Sequence, residues 1–260
     1  MKLPPFHWWR TVFYLIPAVT LYTVGCGVMS LLSTFWDPQG YVAHGWARRW
    51  ARLILVTTGV TVKRVGAPLP AANESCIYVV NHSSHYDTPV LFTALPAQLR
   101  TMAKAGLGRV PFIGWHLARA GHLLVDRKNP GAGIFKRMQR MTTQGASLFV
   151  FPEGSRTTDG SVGRFKAGIF LLAIETGLPV VPISVVNTRA VMPKGRLMTC
   201  PAHVTVVVHE RLLTSGLTRE DARSLARRAQ AIVAAGVRTG AAQTGDAHAQ
   251  MPAEPAAKSS

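Results

Sequence analysis

A histidine and a carboxylate five positions apart, His82 and Asp87, follow directly on the apolar run Cys76-Ile77-Tyr78-Val79-Val80. On one continuous helix that offset puts two side chains on different faces, so the pair can meet only if His82 sits in the turn before a helix that carries Asp87. In that arrangement the carboxylate accepts a hydrogen bond from one imidazole nitrogen and fixes the tautomer. The other nitrogen is then free to take a proton from a hydroxyl group. Ser83 and Ser84 stand beside the histidine, but neither lies in a G-x-S-x-G elbow, so general base chemistry without a covalent intermediate is expected. The nine histidines form no H-x-x-x-H or carboxylate-histidine ligand cluster, and no metal is expected.

Other residues offer chemistry toward anions. Arg127 closes the segment Gly121-His122-Leu123-Leu124-Val125-Asp126, and a guanidinium emerging from a buried strand can grip a phosphate in two hydrogen bonds. In Phe151-Pro152-Glu153-Gly154-Ser155-Arg156, Gly154 permits an unusual backbone angle, Ser155 and neighbouring amides donate, and Arg156 adds charge. Such a turn can cradle a phosphate. Glu153 could accept from a substrate hydroxyl or neutralise a neighbouring arginine, and the residue types leave both readings open. Lys104, Arg164 and Lys166 are further phosphate candidates. The stretch between Asp87 and Asp126 holds Arg100, Lys104, Arg109 and Arg119 but no carboxylate, which suggests a local anion site there. His85 and Asp126 are read as supporting residues.

In this order the segments resemble the motifs of the glycerophospholipid acyltransferases that acylate lysophosphatidic acid. Asn81 through Asp87 is similar to that family's N-H-x-x-x-x-D, and Gly121 to Arg127 to a glycine and apolar strand ending in Asp-Arg. Phe151 to Thr157 is similar to F-P-E-G-[ST]-R-[ST], and Val181-Pro182-Ile183 to V-P-[IV]. Lys104, with Leu107, Pro111 and Gly114, resembles the segment between the first two motifs, although Gly106 stands where the family commonly has glutamate. The resemblance implies an α/β domain with a mixed sheet covered by helices and an N-terminal apolar two-helix membrane motif. It further implies His82 as base and Asp87 as its partner, with Arg127, Glu153, Gly154, Ser155, Arg156 and Lys104 holding phosphate and glycerol. The implied reaction passes a fatty acyl group from acyl-CoA or acyl carrier protein to the sn-2 hydroxyl of lysophosphatidic acid, giving phosphatidic acid, with no cofactor. Acylation of another lysolipid, such as a lyso-ornithine lipid, and a membrane lipid hydrolase are the alternatives.

The elements that must position these residues are legible as pattern. Short β-branched runs predict strands at Thr61 to Val65, Cys76 to Val80, His122 to Val125, Leu148 to Phe151, Val180 to Val186 and Val204 to His209. Helices are predicted over Ala132 to Thr143 and Phe165 to Thr176. A further helix should start at a Thr218/Asp221 capping box and carry the stripe Ala222, Leu225, Ala229, Ile232. No charge occurs from Phe13 to Phe35, a stretch long enough to cross an apolar layer roughly 30 Å thick, with Pro17, Gly25 and Gly27 as expected interruptions. A weaker apolar stretch follows from Trp46 to Val60, broken by Arg48, Arg49 and Arg52. Two helices dipping into one leaflet fit this pattern as well as a single span does. Basic residues on both flanks mildly favour a hairpin entering and leaving on the cytoplasmic side, and the expected place is the inner membrane with the catalytic domain facing the cytoplasm. The expected division is a membrane-associated segment (1–60), a catalytic domain (61–238) and a disordered tail (239–260).

Twenty-nine Lys and Arg against twelve Asp and Glu give a formal charge of +17, which draws the chain to phosphates, nucleic acid or an acidic leaflet. The apolar N-terminus favours membrane lipids as partners, and the lack of an RNP-like or helix-turn-helix signature sets nucleic acid aside. Cys26, Cys76 and Cys200 are far apart and without C-x-x-C spacing, so neither a disulfide framework nor a zinc site is expected.

Overall fold

The computed structural model describes residues 5–37, 39–71, 74–110, 113–125 and 133–243. A continuous helical rod opens the chain: α1 (Phe6–Arg10), a π-helical stretch (Thr11–Leu15) and α2 (Ile16–Ser33). The wide turn lies just before Pro17, where a ring without an N–H cannot continue regular helical bonding. Gly25 and Gly27 do not break α2, contrary to expectation. An apolar helix continues through isolated glycines at a cost of about 1 kcal/mol each. The rod from Phe6 to Ser33 is long and apolar enough to cross a membrane, and 17% of its most apolar window is buried against the rest of the protein.

Helix α3 (Tyr41–Thr58) folds back on this rod. Polar bonds tie the two together: Arg10 Nη2 donates to the carbonyls of Thr57 and Thr58 at 3.1 and 3.2 Å, and Trp50 Nε1 to Thr23 Oγ1 at 3.0 Å. Ala51, Ile54 and Leu55 of α3 are buried in the main core, so this helix belongs to the catalytic body as much as to the N-terminal hairpin.

The body is a seven-stranded mixed sheet in the order β1-β7-β6-β2-β5-β3-β4. Its strands are β1 (Val60–Gly66), β2 (Ile77–Val80), β3 (Gln98–Lys104), β4 (Leu123–Val125), β5 (Ala146–Val150), β6 (Val180–Val186) and β7 (Ala202–Val208). Neighbours are parallel except β6 and β7. Alternation along β2 sends Ile77 and Val79 to one face and Tyr78 and Val80 to the other, and all four are buried. Helices α3 and α4 (Asp87–Ala94) cover the second face, while α6 (Gly133–Thr143), α7 (Gly168–Thr176) and α9 (Ala222–Gln243) cover the first. Two short helices, α5 (Ile113–Arg119) and α8 (Thr188–Val191), lie in the connections after β3 and β6.

The sheet direction decides where chemistry can be placed. The carboxyl ends of β2, β3, β4, β5 and β6 share one edge. Because β7 runs against β6 and β1 runs with β7, the start of β1 at Val60 lies at that same edge. Helix α3 therefore leads straight to the edge on which the titratable residues stand.

Two elements differ from expectation. β3 was not predicted, since Gln98-Leu-Arg-Thr-Met-Ala-Lys104 is polar and poor in β-branched residues. It is held as a strand by tertiary contacts: Gln98 Nε2 and Arg100 Nη2 donate to the Gln39 carbonyl at 2.9 and 3.0 Å. The predicted tail begins too early, because α9 continues through Thr239 to Gln243 on good helix formers such as Ala241 and Ala242. The rest of the expected tail, 244–260, lies outside the described residues.

Candidate active site

The turn between β2 and α4 brings His82 and Asp87 together. Its chain leaves the sheet at Val80 and enters α4 at Asp87, whose carboxylate stands in the first helical turn, where anions are favoured. His82 Nδ1 lies 2.8 Å from Asp87 Oδ2. That oxygen also accepts from the amides of Ser83 and Ser84 at 2.8 and 2.9 Å, while Oδ1 accepts a short bond from Thr188 Oγ1. The carboxylate is fully buried, and all its donors are protein groups. In the neutral ring the proton therefore sits on Nδ1 and the lone pair on Nε2. Among the described residues Nε2 has no hydrogen-bond partner, and the His82 side chain stays 19% exposed.

The rest of the turn is locked in place. Asn81 bridges to β6, donating to the Val185 carbonyl at 2.9 Å and accepting from the Val185 amide at 2.8 Å. The imidazole of His82 stacks on Phe151 with centroids 4.0 Å apart and planes at 13°. The Thr157 amide donates to the His82 carbonyl at 2.9 Å, which fastens the β5–α7 loop to the turn.

Glu153 bonds to two backbone amides. Its Oε1 accepts from the His82 amide at 2.7 Å and its Oε2 from the Gly163 amide at 2.9 Å. Burial pushes its carboxyl above the ordinary range, opposed by those two amides. The side chain thus ties the His82 backbone to the loop that carries Gly163. Gly154 holds φ at +81°, a left-handed conformation that suits glycine, and turns the chain so that Ser155 and Arg156 face a cleft of about 1010 Å³. Ser155 is exposed, and Arg156 lies close enough to His85 to disfavour its protonation, second to the effect of burial.

Ser83 and Ser84 are both buried and engaged: Ser83 Oγ meets Thr188 Oγ1 at 2.9 Å, and Ser84 Oγ donates to the Met192 carbonyl at 2.9 Å. Lys104 ends β3 at the catalytic edge. Arg127 and Asp126 lie outside the described residues. Two of the four cations expected to form an anion site between Asp87 and Asp126 are engaged elsewhere among the described residues. Arg100 is buried and donates to backbone carbonyls, and the Arg119 guanidinium covers the Phe35 ring at 5.3 Å. His85 lines a second, apolar groove of about 260 Å³ between α2, α3 and α4, with Leu15, Val19, Trp50, Tyr86 and Met192 among its walls.

Sequence reasoning missed Thr188, although a polar Asn187-Thr188 pair directly after an apolar strand marks the same sheet edge. Asn187, the one described non-glycine residue with positive φ (+74°), turns the chain so that α8 presents Thr188 to Asp87.

The Acyltransferase family model matches residues 61–186, which run from β1 through the end of β6. Over that stretch the chain is similar to the acyltransferase family. It is 34% identical over 175 residues to the chloroplastic 1-acyl-sn-glycerol-3-phosphate acyltransferase of Brassica napus, covering 66% of this chain and 51% of that protein. The match thus spans about half of the Brassica protein. The 1-acyl-sn-glycerol-3-phosphate acyltransferase of Pseudomonas aeruginosa is 29% identical over 236 residues, with 86% of this chain and 88% of that one covered. Among solved structures, the 1-acyl-sn-glycerophosphate acyltransferase of Thermotoga maritima superposes with a TM-score of 0.74 at 25% identity, over 90% of this chain and 96% of that one. The mixed sheet covered by helices is thus shared with that solved structure over most of both chains.

Proposed function

We propose that this acyltransferase transfers a fatty acyl group from acyl-CoA or acyl carrier protein to the sn-2 hydroxyl of 1-acylglycerol-3-phosphate, forming phosphatidic acid. The observation that carries the proposal is the His82–Asp87 pair, 2.8 Å apart with the ring's second nitrogen open at the strand edge. His82 Nε2 takes the acceptor's hydroxyl proton as that oxygen attacks the thioester carbonyl. The thiol leaves and the ester forms in one enzyme-bound sequence without an acyl-enzyme, in keeping with the engaged hydroxyls of Ser83 and Ser84. Arg156, with Ser155 and the amides of the Gly154 turn, supports the acceptor phosphate; Lys104 and Arg127 are assigned the same task from their motifs.

Access supports a lipid acceptor. The apolar groove runs from the N-terminal helices to His85 and Tyr86, next to the catalytic turn, and suits an acyl chain that stays in the bilayer. We place the protein at the cytoplasmic face of the inner membrane, anchored by the Phe6–Ser33 rod.

Purified full chain supplied with acyl-CoA or acyl carrier protein should make phosphatidic acid from lysophosphatidic acid, and His82→Ala should lower kcat by about 10²- to 10⁴-fold. Release of free fatty acid at the same rate with and without acceptor would point to a hydrolase instead. Acylation of other lysolipids in preference to lysophosphatidic acid would reassign the acceptor.

A further inference from the structure

The 1010 Å³ cleft beside the catalytic turn has a second wall that none of the motifs accounts for. One side is the β5–α7 loop. The other is the first two turns of α9, where Arg223, Ala226, Arg227 and Gln230 fall at helical spacings of three and four and face the same opening. Leu225 and Ala229, on the opposite side of the same helix, are buried in the core, so the arginines are presented from a fixed support.

The charges of this cleft do not cancel. Arg156, Arg164, Lys166, Arg223 and Arg227 line it, against Glu153 and Asp159. Glu153 is occupied by two backbone amides, and Asp159 Oδ1 accepts from the amide and hydroxyl of Ser161 at 3.0 and 2.8 Å. Among the described residues none of the five cations has a carboxylate within ion-pair distance. Five cations converging on one concavity repel one another unless an anion joins them, and arginine forks match phosphate oxygens.

His82 and Asp87 are absent from the cleft's walls, and the two regions adjoin at Glu153. A ligand anchored against α9 must therefore reach the imidazole along an extended arm. An acceptor whose hydroxyl lies next to its own phosphate has no such arm. A nucleotide-linked thioester has one: its phosphates sit at one end of pantetheine and its thioester at the other. The volume is that of a small-molecule site rather than of a flat docking face.

Resting on the acyl-transfer reading above, we propose that Arg223 and Arg227 of α9, with Arg164 and Lys166 opposite, bind the 3′-phosphate and diphosphate of a coenzyme A donor. The concave site favours the nucleotide over the helical surface of a carrier protein. Arg223 and Arg227 are exposed and make no structural ion pair among the described residues, so replacing them leaves the fold intact.

The test is direct binding of coenzyme A to the detergent-solubilised full chain by calorimetry, which needs no turnover. Loss of one or two charge-assisted phosphate contacts, each worth about 1.5–3 kcal/mol, should weaken binding to Arg223→Ala/Arg227→Ala by roughly ten- to a hundredfold or more. The Arg223→Lys/Arg227→Lys variant should recover part of it, and dephospho-coenzyme A should bind the wild type more weakly than coenzyme A. An unchanged melting temperature in both variants certifies the fold. In turnover, KM for acyl-CoA should rise with KM for lysophosphatidic acid unmoved. Equal coenzyme A binding by wild type and the alanine variant overturns the proposal. So does a rise confined to the acceptor's KM, which would make the α9 wall part of the headgroup site, or one confined to acyl carrier protein as donor. If coenzyme A binds as described but no donor supports esterification, the acyl-transfer reading fails while the nucleotide site stands.

Discussion

Asp87 is used four times by the protein, and each use has a separate consequence. Asp87→Asn keeps the size, but an NH₂ in place of Oδ2 faces the donating amides of Ser83 and Ser84, so both contacts are lost and the His82 tautomer is no longer set. We expect kcat to fall by about 10²-fold or more with KM for either substrate little altered, measured by initial rates. Thr188→Val removes the hydroxyl between Asp87 and Ser83. A hydrogen bond to a charged group is worth about 1.5–3 kcal/mol, so kcat should drop roughly ten- to a hundredfold if the bond aligns the imidazole. Glu153→Gln sets an amide NH₂ against the backbone N–H of His82 or Gly163. Loss of that acceptor should lower kcat through displacement of His82, and a substrate KM near the wild-type value would separate this role from headgroup binding.

At the level of elements, the least obvious device is the seam between α9 and the sheet. Ser184 Oγ donates to the Val233 carbonyl at 2.9 Å and meets His209 Nε2 at 2.8 Å, so the ring supplies the proton of that second bond. A Cβ at Gly236 would collide with Ser184 Oγ and the His209 ring, and Gly236→Ala should cost about 1–3 kcal/mol in chemical denaturation. Burial lowers the His209 pKa, so the unfolded chain takes up its proton first as acidity rises. Stability held above about pH 6.5 is then lost as pH falls toward the folded value. Melting temperature against pH should show that decline in the wild type and less of it in His209→Gln. Neither the seam nor β3 could be read from the sequence, because both rest on partners distant along the chain: Gly236 on Ser184, and Arg100 on Gln39. The predicted strands were readable because apolar runs between glycine-rich turns need no distant partner to identify them, and the α9 start because Thr218 and Asp221 are three residues apart. The same division holds at the site. His82 and Asp87 are close in sequence and their meeting could be inferred, whereas the role of Glu153 depends on the Gly163 amide and on a turn 71 positions earlier.

For the molecule as a whole, we propose the apolar face of α2 as the attachment to the bilayer. Leu21, Val24 and Val28 are 70, 50 and 36% exposed there. Leu21→Asp/Val24→Asp/Val28→Asp should shift the protein from floating with vesicles to the soluble fraction, while the helix-dominated circular dichroism spectrum is retained. The reversed direction of β1 then has a kinetic corollary. Since that strand begins where the reaction happens, the rod that holds the protein in the leaflet also fixes the catalytic edge at its surface. Encounters with the acceptor become a two-dimensional search, governed by how crowded the lysolipid is among its neighbours and not by its amount in the tube. Diluting it with inert phospholipid at constant total substrate should slow the enzyme in proportion.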